Sequence, residues 1–115
     1  MHKGYTLNYF INYFQSIPDH RWTEGVYHEE GTVRFDAVGH ALRNNNASPD
    51  RKLTTTKNAR SKALNKFLLN TTEDINDGNT VVKGSTPRGR ILNALRTRKR
   101  LGRVGFRELL KGVTL

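Results

Sequence analysis

A small single α+β domain, mainly helical with a short β-hairpin, is the fold class this sequence predicts, and three observations lead to it. Apolar residues recur at spacings of three and four in separate stretches near residues 7–17, 59–68 and 87–95, which is how a helix buries one face. Between the first two lies a glycine-punctuated run of aromatic and β-branched residues that reads as paired strands. The chain has 115 residues, room for one core, and only 35% are hydrophobic, so the apolar material must be concentrated in those segments. The compact domain is expected over residues 1–97, with 98–115 as a basic C-terminal extension that is partly flexible.

The first helix is expected in "YTLNYFINYFQSIP", where Leu7, Phe10, Ile11, Phe14 and Ile17 share a face, Thr6 caps the start and Pro18 sets the end. Tyr5, Tyr9 and Tyr13 form a second row, read as the edge of the buried stripe rather than as a stacking platform, because acids outnumber bases over residues 1–30. Trp22, Val26, Tyr27, Val33 and Phe35, set among Gly25 and "HEEG", suggest the hairpin. A short helix then starts at Asp36, whose carboxylate suits an N-cap, and ends in a triple Asn. Residues 44–56 are polar and aperiodic, hence a loop. "KNARSKALNKFLLN" returns to helical spacing through Ala59, Ala63, Leu64, Phe67 and Leu68. Asp77-Gly78 marks a turn, and Val81-Val82 a short strand or packed loop. The last helix has Thr86 as N-cap, Pro87 in its first position, Ile91, Leu92 and Leu95 as its stripe and Gly102 as terminator. A further turn of helix around Phe106, Leu109 and Leu110, or a fraying end, follows.

Net charge is +10, unevenly spread. Residues 51–70 hold six bases and no acid, residues 81–115 hold ten bases against Glu108, and residues 71–80 hold three acids and no base. Such segregation makes a positive face that attracts polyanions. Cysteine is absent, which excludes disulfides, thiolate catalysis and Cys-based zinc sites. No run approaches the roughly 20 apolar residues that cross a bilayer, nor is there a secretory pattern at the start, so a cytoplasmic protein without membrane contact is expected.

Candidate chemistry is sparse. His2, His20, His28 and His40 show no metal-ligand spacing, so no metal is expected. Asp36 and His40 stand at i, i+4 and could pair as an acid–base couple, the basis of a hydrolase-like reading ranked third, yet no nucleophile motif accompanies them. An N-cap Asp and a core-edge His are the preferred roles. "KGSTPRGR" completes no nucleotide loop, although Ser85, Thr86 and the amides opening the next helix could hold one phosphate. The strongest signal is "RTRKRLGR", continuing a helix and joined by the basic block at 51–66. No cofactor or enzymatic activity is expected. The preferred function is largely sequence-independent nucleic-acid binding, DNA or RNA, through Arg60, Lys62, Lys66, Arg88, Arg90, Arg96, Arg98, Lys99, Arg100 and Arg103. The alternative is a protein-interaction module that docks on an acidic partner.

"INYFQSIPDHRWTEGVY", "GTVRFDAVGHAL", "INDGN" and "TPRGRILNALR", in this order, resemble a group of small bacteriophage and bacterial proteins with no established activity. Its pattern is a Trp-Thr-x-Gly, a (Cys/Asp)-Ala-(Leu/Val)-Gly-His, an Asn-Asp-Gly and a Pro-x-x-Arg-(Ile/Val)-Leu helix. The resemblance implies a phage or prophage origin, hence the host cytoplasm, and a compact α+β domain. Trp22, Gly25, Ala37, Gly39, His40, Asn76, Asp77, Gly78, Pro87 and Arg90 match the pattern. Asp36 stands where relatives carry Cys, so thiol chemistry is not shared.

Overall fold

The computed structural model describes residues 5–42 and 58–112. The loop expected over 44–56 and the end of the expected extension at 113–115 lie outside them. The first helix, α1 (Leu7–Gln15), starts where Thr6 Oγ1 accepts the Tyr9 N–H at 3.0 Å. Its apolar spacing puts Phe10 and Phe14 fully inside, each ring worth about 1.5–3 kcal/mol of burial. The Ser16 hydroxyl donates to the Tyr13 carbonyl, and Pro18 turns the chain into a single 3-10 turn at Asp19–Arg21.

The β-hairpin does not form, and the α+β expectation is corrected to an all-helical fold. Among the described residues there is no strand, only two isolated bridges, and both fall on Phe35: one to Trp22 and one to His28. The Phe35 amide donates to Arg21 O, Phe35 O accepts from Thr23, and Asp36 N–H reaches Tyr27 O. Three segments thus converge on one residue. Gly25 (φ 78°) and Gly31 (φ 77°) turn the chain before a second pair can register, so no ladder propagates.

Asp36 opens α2 (Ala37–Leu42), its Oδ1 accepting the Gly39 N–H at 2.6 Å. Gly39 is required by space: a Cβ there would lie 1.9 Å from the Tyr27 carbonyl oxygen. Asn58 then starts α3 (Ala59–Phe67) through a reciprocal capping box with Ser61, and its amide also donates to Ala41 O and Leu42 O, tying α3 to the end of α2. The chain leaves α3 through two left-handed residues, Leu69 (φ 53°) and Asn70 (φ 62°). It re-enters helix as α4 (Thr72–Asn76), whose first turn carries Glu73 and Asp74, the charge sign a helix start favours.

The longest element, α5 (Pro87–Leu110), has the expected Thr86 cap, with Oγ1 accepting the Gly89 N–H at 3.0 Å, and buries Ile91, Leu92, Ala94 and Leu95. Gly102 interrupts it with φ 75° and ψ 179°. Beyond the break the helix resumes and sends Phe106 into the core, fully buried. Helix α1 packs along α5 in the opposite direction: Arg88 Nη2 donates to Gln15 O, and eleven residues later Lys99 Nζ donates to Asn8 Oδ1. Helix α4 crosses the beginning of α5, and α2 packs against α3 and α4. None of the described helices is long and apolar enough to cross a membrane.

Candidate nucleic-acid interface

The two basic blocks, distant in sequence, both reach α1, which itself carries no charged residue. From α3, Arg60 donates Nε–H to Ala41 O at 2.8 Å and Nη1–H to the Tyr9 hydroxyl at 3.4 Å, with its guanidinium 5.1 Å from the Tyr13 ring centre. From α5, Lys99 meets Asn8 at 2.8 Å and Arg88 meets Gln15 O at 2.8 Å. Arg98 closes the arrangement by donating to Phe67 O at the end of α3 while lying over the Phe67 ring. Arg60, Arg88 and Arg98 are partly buried and held in place, whereas Lys62, Lys66, Arg96, Lys99, Arg100 and Arg103 are exposed. Among the described residues, none of Lys62, Lys66, Arg88, Arg96, Arg98, Lys99, Arg100 and Arg103 belongs to an ion pair. Their charge is therefore not neutralised by a carboxylate among the described residues.

Arg90 has a different place. It is 7% exposed, and it donates Nε–H to Ile75 O and Asn76 O, Nη1–H to Gly84 O, and Nη2–H to Asn76 O and the Glu24 carboxylate. This guanidinium fastens the end of α4 to α5 and has no donor directed at a ligand. Thr86, expected with Ser85 and the following amides to hold a phosphate, has its hydroxyl oxygen engaged as a cap.

Asp36 and His40 are not brought together as a catalytic couple. His40 is fully buried between Trp22 and Phe35, with ring centres 4.9 and 5.2 Å away. Its Nε2 faces Arg21 O at 2.9 Å, so that nitrogen carries the proton. Asp36 serves the Gly39 amide and borders a separate cleft of about 260 Å³ with Gly25, Val26, Tyr27, Glu73 and Asp77. Burial pushes the Asp36 carboxyl up to about 7 against the opposing Gly39 N–H, with Glu73 and Asp77 adding to the rise. Its neighbour Tyr27, donating to the Glu73 carboxylate, is raised to about 12, chiefly by that hydrogen bond. No group of carboxylates and histidines among the described residues could hold a metal ion.

The tyrosine row lies where the sequence puts it, at the edge of the buried stripe: Tyr5, Tyr9 and Tyr13 are partly buried and packed against the core, and Asn8, which the sequence did not single out, meets Lys99. All four acids of residues 1–30, at 19, 24, 29 and 30, come after α1 has ended, so the helix itself is uncharged. Compared with known proteins, the chain matches no family model, no curated protein and no solved structure.

Proposed function

We propose that this is a non-enzymatic, phage-type accessory protein that binds DNA or RNA with little regard to sequence. The observation that carries the reading is the gathering of cations from α3 and α5 around the uncharged α1, with those outside Arg60 in no ion pair among the described residues. Phosphate contacts by such groups release counterions and need no base recognition. Arg60, Lys62, Lys66, Arg88, Arg96, Arg98, Lys99, Arg100 and Arg103 make them, and Arg90 is excluded because its donors are filled internally.

The test is binding to unrelated DNA and RNA sequences across a salt series. Affinity should fall steeply with salt, with a logarithmic slope of about −0.7 to −0.9 per phosphate contacted. Replacing Arg96, Lys99, Arg100 and Arg103 with Gln should flatten that slope without unfolding the protein, since all four are exposed. No binding even at low salt would overturn the reading and favour an acidic protein partner, for which exposed Val104 beside Arg103 would supply an apolar contact.

A further inference from the structure

Resting on that reading, we infer that the nucleic acid is double-stranded and that cations of α3 and α5 grip its two backbones across a groove. A single strand is held best where its bases stack on open rings, whereas a duplex presents chiefly phosphates to a protein that does not read base edges. The four tyrosines, the five phenylalanines and Trp22 all lie among the described residues, and each is buried or half-buried. Their rings serve the core and its edge: Tyr9 stacks on Tyr13, Tyr13 lies under the Arg60 guanidinium, and Phe67 lies under that of Arg98. What the surface offers a polyanion is therefore charge. Charge alone favours the partner with the denser phosphates, which is the duplex.

The exposed cations stand in two rows on two helices in contact. On α3, Lys62 and Lys66 are one turn apart; on α5, Arg96, Lys99 and Arg100 share a helical face through spacings of three and four. All five are exposed, and none has a carboxylate partner among the described residues. Arg98 joins the rows: its Nε–H donates to Phe67 O at 3.2 Å, so the residue after Lys66 is bonded to the residue before Lys99. Helices that touch have axes about 8–10 Å apart, which falls between the minor and major groove widths of B-form DNA, about 6 and 12 Å. One row can thus serve each backbone of a duplex. A lone strand has only one backbone to offer.

The full chain is titrated, by fluorescence anisotropy, with a labelled DNA duplex of about 20 base pairs and mixed sequence, and with each of its strands alone. The counterion slope differs by about 0.2 per phosphate between duplex and single strand, so about five contacts should make the duplex about ten-fold tighter or more at about 0.05 M salt, with the steeper salt dependence. Neutralising either row, as Lys62→Gln with Lys66→Gln or as Arg96→Gln with Arg100→Gln, should weaken duplex binding and narrow its margin over the single strands. Equal or tighter binding of the single strands overturns the duplex inference and leaves the nucleic-acid reading standing, whereas absence of binding to every probe overturns both. A duplex preference that survives loss of the α3 row overturns the two-backbone grip. The comparison of probes on the unaltered protein tests the inference even where a variant fails to fold.

Discussion

Asp36 is 3% exposed and carries a carboxyl that burial raises from an ordinary 3.8 to about 7, while serving as the N-cap of α2. A raised carboxyl favours the folded state only while it holds its proton. Stability from this group is full below about pH 4, falls as pH rises, and is lost above about pH 7, a span of roughly 4 kcal/mol at most. Asp36→Asn keeps an oxygen for the Gly39 N–H but cannot ionise. In urea unfolding, its advantage over the parent should therefore grow between about pH 4 and pH 7 and persist at pH 8; a constant difference across that window would show that Asp36 ionises normally. At this scale the sequence was readable where a residue acts on its neighbours: Asp36 as a cap, and Gly39 as a point of close packing, follow from local pattern. Arg90 was not readable, because its burial depends on carbonyls at Ile75, Asn76 and Gly84 that only the crossing of α4 and α5 brings to it. In sequence it is one more arginine of the basic block.

Among the elements, the capped, periodic helices were legible and the irregular ones were not. Helices α1, α3 and α5 announce themselves through spacing, with Thr6 and Thr86 at the starts of α1 and α5, whereas the Asn58 cap of α3 emerges only in the fold. The five residues of α4 are too few to show a period, and the hairpin expectation failed because alternating aromatics cannot reveal that Phe35 bridges in two directions. Gly102 was expected to stop α5, and what it does is redirect it. Its φ of 75° with ψ of 179° belongs to a region that is essentially glycine's alone, yet a Cβ there would meet nothing within 4 Å. The demand is therefore on the backbone and not on space. Gly102→Ala should cost about 1–3 kcal/mol in denaturant unfolding. If the helix instead straightens to relieve that strain, the segment from Arg103 to Leu110 leaves the core, and amide exchange at Phe106 should rise sharply. Unchanged stability together with unchanged exchange would mean that alanine tolerates this backbone, and that the break has another cause.

Across the whole molecule, charge is divided in a way that only the fold makes visible. The acids Asp36, Glu73 and Asp77 border one cleft at α4, whereas Arg60, Arg88 and Lys99 of α3 and α5 reach α1, and among the described residues none of Lys62, Lys66, Arg88, Arg96, Arg98, Lys99, Arg100 and Arg103 belongs to an ion pair. The segregation itself was legible in the block charges, but its convergence was not, because contact between residues 60 and 9 or 99 and 8 is a property of packing. An unneutralised positive surface strains the folded chain by self-repulsion, and added salt should relieve that strain by screening. The melting temperature should thus rise as ionic strength increases from about 0.01 to 0.2 M, over which the Debye length shrinks from about 30 to below 10 Å. A variant with Arg96, Arg100 and Arg103 replaced by Gln should start higher and respond less, because its remaining cations are farther apart. A melting temperature that falls with salt would mean that attractive pairs dominate, and would remove the argument that these cations are held in reserve for a polyanion. The same variant separates screening from binding: a short single strand added at low salt should raise the parent's melting temperature by mass action, and the variant's far less.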